Sequence, residues 1–220
     1  MGLLSKLFLL VIRASISVLI SFTISMPSYS SDNFFSPVAS SHEKVEHLLS
    51  VFAVNQNVIP ICYNYGCNTQ HNIIVDKESI QSIKAIFNPA PLTAQDERVA
   101  ISKAIAMLES ISARQTPTYN DKAGNANDNG LSGRMDCIDA TVNTTHYLEF
   151  INNLGLINYH QLQKPAYRSP FVFGQHWAAK IRDKTSTQSY VVDSWQTDNG
   201  QPPVIQKIAP WERRDKVNKN

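Results

Sequence analysis

Three residues have the types that acyl-transfer chemistry requires, and they occur in the order Cys137, His176, Asp193. A thiol can attack a carbonyl carbon, an imidazole can carry its proton, and a carboxylate can fix the imidazole tautomer and stabilise its cation. Cys137 lies in "SGRMDCIDATVNTTHYLEF", where an apolar pattern of helical spacing begins. The first turn of a helix offers unpaired N–H groups and the positive end of its dipole, so this placement predicts a stabilised thiolate. His176 lies in "FVFGQHWAAKI" and Asp193 in "SYVVDSW", two strand-like runs around the polar turn "RDKTSTQ". A regular hairpin centred between Lys184 and Thr185 would set His176 directly opposite Asp193. Such pairs have Cβ atoms about 5 Å apart, within reach of a hydrogen bond.

The other histidines fit less well. His42 and His47 fall in a first helix, His71 follows a cysteine loop, and His160 falls in the linker after the Cys137 helix. His146 shares the helix of Cys137 but is nine residues on, on the opposite face at about 100° per residue.

Cysteine arithmetic isolates the candidate nucleophile. Cys62 and Cys67, in "IPICYNYGCNTQH", are a natural disulfide pair, with Gly66 available for a tight turn. That leaves Cys137 unpaired, either an intermolecular partner or a free thiol. No second Cys/His pair with ligand spacing follows, so a zinc site is not expected.

These residues must be positioned by a scaffold. "HEKVEHLLSVFAV" and "DKESIQSIKAIFN" have helical periodicity, and "HNIIV" reads as a short strand. A long helix starts at Thr93, with Asp96 near a capping-box position, and runs to about residue 114 beside the Cys137 helix. The polar loop "TPTYNDKAGNANDNGLSGRM" leads into Cys137 and exposes it, and Gly155 closes the helix that follows. "PPVIQKIAPW" predicts an edge strand, and the mixed-charge "WERRDKVNKN" a solvated tail. Helices followed by a strand meander predict an α+β fold, its helical N-terminal half packed on a small antiparallel sheet.

The first thirty residues have a different composition. Lys6 and Arg13 are their only charges, around the runs "LFLLVI" and "ASISVLISFTISM". This is the pattern of a secretory signal, with a membrane anchor through residues 7–26 as the alternative. Either places the remaining domain, 31–220, outside the cytoplasm, periplasmic or secreted. The whole chain has 20 Lys+Arg and 18 Asp+Glu; without residues 1–30, which hold two of the basic residues and no acidic ones, the balance is 18 to 18. A neutral chain lacks the electrostatic footprint of a nucleic-acid binder.

A Cys heading a helix, then "HWAAKI", then a strand ending "YVVDSW", resembles the transglutaminase-like cysteine hydrolase and acyltransferase superfamily, which has a papain-related fold. The resemblance covers about residues 93–196. It implies Cys137 as nucleophile, His176 as base and Asp193 as orienting acid, acting on a protein or peptide substrate without a cofactor. "CYNYGC" with "MDCIDATVNTT" and "VVDSW" is also similar to an uncharacterised group of exported bacterial proteins. Transglutaminases proper often carry aromatic residues beside the nucleophile, whereas this chain has "DCID". A calcium-dependent branch has acidic residues there, similar to Asp136 and Asp139, but two carboxylates are fewer than the oxygens Ca²⁺ prefers, so no metal is expected. The oxyanion donors stay open between the Cys137 amide, Asn127, Asn129 and the Trp177 indole. A non-catalytic binding module of the same fold, or an envelope protein in which Cys137 is merely buried, are the alternatives to an enzyme.

Overall fold

The computed structural model describes residues 37–169 and 174–214, with the side chains of 37–40 excepted. The expected signal or anchor lies outside these residues. No described helix is long and apolar enough to cross a membrane.

The described chain runs α1 (Pro37–Val51), β1 (Val58–Tyr63), β2 (Thr69–Ile74), α2 (Lys77–Ile86), α3 (Ala94–Gln115), α4 (Cys137–Asn153), β3 (His160–Arg168), β4 (His176–Asp183), β5 (Ser189–Asp193), β6 (Val204–Lys207) and α5 (Ile208–Glu212). It is an α+β fold with two antiparallel sheets, the hairpin β1–β2 and a sheet of order β3-β4-β5-β6.

Local signals account for the helix ends. The Thr93 hydroxyl caps α3 by accepting from the Asp96 amide at 3.1 Å. Gly155, at φ +74°, follows the α4 C-cap Leu154 in the left-handed region that an L-residue enters at a cost. Ile83 and Phe87 turn the buried face of α2 inward, and Ile101, Ile105 and Leu108 do so for α3.

Helix α4 touches β1, β4 and α3, and is buried almost all round. Several of its polar residues are therefore paired rather than solvated, although the Thr141 hydroxyl and His146 Nε2 are buried without a partner. The Asn143 amide clamps the Cys62 backbone, accepting from its N–H at 2.6 Å and donating to its carbonyl at 2.8 Å. His146 bonds the Pro60 carbonyl through Nδ1 at 2.8 Å, on the face away from Cys137. Thr144 and Ser194 share a hydroxyl–hydroxyl bond of 2.7 Å. The Cys62–Cys67 disulfide closes the β1–β2 turn against this helix.

Two expectations need correction here. His160 does not lie in a linker: it begins β3, a strand that the pattern around "QKPAYR" did not announce, because the register slips between Gln163 and Ala166. Nor is the whole tail solvated: Trp211 sits in α5 and is fully buried, while Glu212 and Arg213 are exposed. A terminal tryptophan after "VIQKIAP" was the available signal, since so large an apolar surface is seldom left in water.

Candidate active site

The residue before Cys137 explains how the helix is started. The Asp136 carboxylate accepts from the amides of Ile138 and Asp139, at 3.0 and 2.9 Å. The Asp139 carboxylate returns to the Asp136 amide at 3.3 Å and takes the Cys67 amide at 2.5 Å. This capping box makes Cys137 the first helical residue and ties it to the disulfide turn. Burial, and the charge of Asp136 beside it, push the Asp139 carboxyl well above the usual carboxylate range. Both acids are thus occupied by backbone N–H groups of the cap and turn.

The loop before Cys137 is built rather than slack. It begins with a short 3-10 turn, Pro117–Asn120. Buried Asp121 accepts from the Met135 amide at 2.8 Å, and Asn125 bridges Asp121 and Asp128. Arg134 pairs with Asp128 at 3.0 Å, and Tyr65 of the disulfide turn donates to the same carboxylate. Gly133 has φ +84°, and a Cβ there would meet the Pro117 carbonyl oxygen at 1.9 Å, so the turn excludes any side chain.

His176 and Asp193 meet, though by a different register from the one expected. The β4–β5 ladder pairs Arg182 with Ser189 and Ala179 with Val192, which centres the hairpin between Thr185 and Ser186. The Asp183 carboxylate accepts from the amides of Thr185 and Ser186, and Thr187 takes φ +58°, so the turn forms one residue later. The pairing shifts by two residues, an even number, and the faces are preserved. His176 reaches Asp193 diagonally: Nε2 donates to Oδ2 at 2.7 Å. Trp211 and Gln196 donate to the same oxygen at 2.9 and 2.5 Å. With Nε2 held by the carboxylate, the basic nitrogen of the neutral ring is Nδ1, which is buried and without a hydrogen-bond partner. Trp195 and Trp211 flank the imidazole, with ring centroids at 4.9 and 5.6 Å.

Cys137 and His176 line one cavity of about 650 Å³. The backbone N–H of Trp177, the residue after His176, acts on the Cys137 sulfur in favour of the thiolate. It does not prevail. Burial, reinforced by the charges of Asp136 and Asp193, pushes the thiol up to about 12. Burial thus works against the thiolate predicted from the helix start: a helix dipole contributes about 0.3–1 kcal/mol, less than the cost of desolvating an anion.

The expected oxyanion donors are also revised. Asn127 and Asn129 do not line this cavity, whereas Asn125 and Ala126 do. Trp177 alternates with His176 along β4, and its ring packs against His42 and Tyr167 beside a separate cavity. Trp195 lines the Cys137 cavity instead, and its buried indole N–H has no hydrogen-bond partner. The Trp two residues beyond the acid was visible in "VVDSW".

No protein-family model matches this chain, and no curated protein or solved structure matches it.

Proposed function

We propose that this chain is an exported thiol enzyme of the transglutaminase-like, papain-related class, acting on an amide or peptide bond. The observation that carries the reading is the division of labour on His176. One nitrogen is held by Asp193 at 2.7 Å, and the other is buried and unpartnered in a ring that shares a cavity with the free thiol Cys137.

Burial disfavours the charged form of the Cys137 sulfur, and the proposed first step is consistent with that. A resting thiolate is disfavoured, so the proton leaves Sγ for His176 Nδ1 as Sγ attacks the carbonyl carbon. The carbonyl oxygen gains the negative charge, and the Cys137 amide and the Trp195 indole N–H, the latter unpartnered at the same cavity, are its proposed donors. The imidazolium, balanced by Asp193, then gives its proton to the amine as the C–N bond breaks, leaving a thioester. Water resolves the thioester to a carboxylic acid and the free thiol; an amine in its place would give a new amide. Hydrolysis is the proposed outcome, since the neutral exported chain has no evident second amine site.

One observation favours a non-catalytic module of the same fold, namely that the surroundings of the half-buried Cys137 disfavour its charged form. A fluorescent acyl-electrophile probe separates the readings. The enzyme forms an adduct at Cys137 that is absent from Cys137→Ala and slowed at least a hundredfold in His176→Ala. An adduct rate equal to that of free cysteine, unaffected by His176→Ala, would sink the enzyme.

A further inference from the structure

A second cavity adjoins the Cys137 site. It encloses about 470 Å³ between α3 and β6, and Gln206 lines both it and the Cys137 cavity. Strand β6 ends its sheet: β5 pairs with one edge, and no strand among the described residues pairs with the other. The Ser102 hydroxyl of α3 donates to the Pro203 carbonyl at 3.2 Å, which fixes the chain as it enters β6. Ile205, Gln206 and Lys207, three consecutive residues of this edge strand, all line the groove.

Its lining combines apolar surface with positive charge. Tyr190, Ile205 and Pro202 supply apolar surface, and so does Val99 of α3, which is 46 % exposed. No Asp or Glu lines the groove, whereas Arg98, Lys103 and Lys207 do. Arg98 is already committed: it bonds Gln95 at 2.6 Å and His160 at 3.1 Å, and it lies over the Tyr190 ring. Lys103 and Lys207 are exposed, and neither has a hydrogen bond or an ion pair from its ammonium group among the described residues.

These features together select the occupant. A small anion would use the two ammonium groups and leave the apolar surface and the strand edge unused. An extended peptide uses all three: its main chain pairs with an open edge, alternate side chains lie on apolar surface, and acidic side chains meet the lysines. Gln206 makes the groove continuous with the cavity that holds Cys137 and His176, so one chain can occupy both. We propose that the groove between α3 and β6 seats an extended, acidic stretch of the peptide substrate, to one side of the bond that Cys137 attacks. This rests on Cys137 and His176 as the acyl-transfer pair, and it narrows the substrate class to peptides with acidic residues near the scissile bond. The groove only binds; the bonds that change are those already described.

The test separates binding from chemistry. Fluorescein-labelled peptides of about ten residues are titrated with the full chain carrying Cys137→Ala, at about 50 mM salt so that screening is weak, and anisotropy is read. One peptide alternates Glu and Val, a second Gln and Val, a third Glu and Gly. The Glu–Val peptide is expected to bind about tenfold more tightly than either of the others. Lys103→Glu with Lys207→Glu, added to Cys137→Ala, is expected to weaken it by a similar factor, with an unchanged Tm as the check on folding. The comparison of peptides needs no change in the groove, so it decides even where that variant misfolds. Equal binding of Glu–Val and Gln–Val, binding of neither, or binding that survives the lysine changes would overturn the groove. Glu–Gly binding as tight as Glu–Val would make it a general anion site and overturn peptide docking. Acyl-probe labelling of Cys137 in the unmodified chain is read separately, and joining the electrophile to the Glu–Val peptide is expected to speed it about tenfold. Labelling without Glu–Val binding sinks the groove alone, and equal labelling rates sink its link to the substrate. Binding without labelling sinks the acyl-transfer reading, and with it the assignment of the groove to a substrate.

Discussion

Among the described residues there are two buried histidine–carboxylate pairs, and they differ in what the second ring nitrogen does. In the first, His160 Nδ1 donates to Glu97 at 2.8 Å, and Nε2 accepts from Arg98 at 3.1 Å. Glu97 is also wrapped by the amides of Asn158, Tyr159 and His160. Burial opposes its charge, yet the bonds from His160, Tyr159 and Asn158 hold its carboxyl below the usual range. Every valence there is filled, and the pair fastens the start of β3 to α3. In the second pair, Asp193 occupies only Nε2 of His176, and Nδ1 is left over in a ring that lines a cavity with a thiol. A carboxylate beside a histidine is therefore no sign of catalysis by itself. The sign is an unfilled nitrogen at a cavity that also holds a nucleophile.

The same substitution at the two histidines gives the largest contrast. His176→Ala is expected to lower turnover or probe labelling by about 10²–10⁴ with little change in melting temperature. His160→Ala is expected to leave the specific activity of folded protein within a few fold, while the unfolding free energy from denaturant titration falls by about 2–4 kcal/mol from the bonds left unmade. Equal activity losses would erase the distinction. Next, Asp193→Asn should keep the fold yet cost about 10²–10⁴ in rate, because the ring loses its imposed tautomer and the counter-charge of its cation. Carried at Glu97, the matching Glu97→Gln change should cost stability alone, about 1–3 kcal/mol.

The pH dependence of stability sharpens the comparison further. Glu97 is held below its unfolded value, so the stability it contributes is present above the ordinary glutamate pKa, about 4.3, and is lost as pH falls through its folded pKa. Glu97→Gln should flatten that acid limb. Glu109 behaves in reverse: buried, and near Asp121, its carboxyl is pushed up to about 8. The native state then binds more protons than the unfolded chain between the unfolded value and about 8, and stability declines as pH rises through that window. Glu109→Gln should remove this decline, which thermal melts between pH 5 and 8 would detect. An unchanged slope would mean that Glu109 is not protonated in the fold.

Much of the scaffold was legible from the chain because its signals are local. Thr93 at a cap, the 3.6-residue stripe of Ile101, Ile105 and Leu108, and Gly155 past a helix end all act through nearest neighbours. The β1–β2 disulfide followed from spacing alone. Strand β3 was hidden because its ladder slips, which destroys the alternation by which a strand is read. The hairpin register was displaced by the Asp183 turn, and the His176–Asp193 contact survived because a two-residue shift conserves the face.

The sequence by itself determined the α+β order of elements, the disulfide pair and the start of the Cys137 helix, and it singled out Cys137, His176 and Asp193 as the residues to propose for a site. Each rests on periodicity, capping or arithmetic within a short span. Only the tertiary structure decided the surroundings that disfavour the Cys137 thiolate, the setting of His176 between Trp195 and Trp211, and the placing of Arg168 and Arg214 on the same cavity. The physical reason is common to all three. Desolvation and charge–charge interaction depend on distances between segments far apart in the chain, and these exist only once the core of α3, α4 and the two sheets has formed.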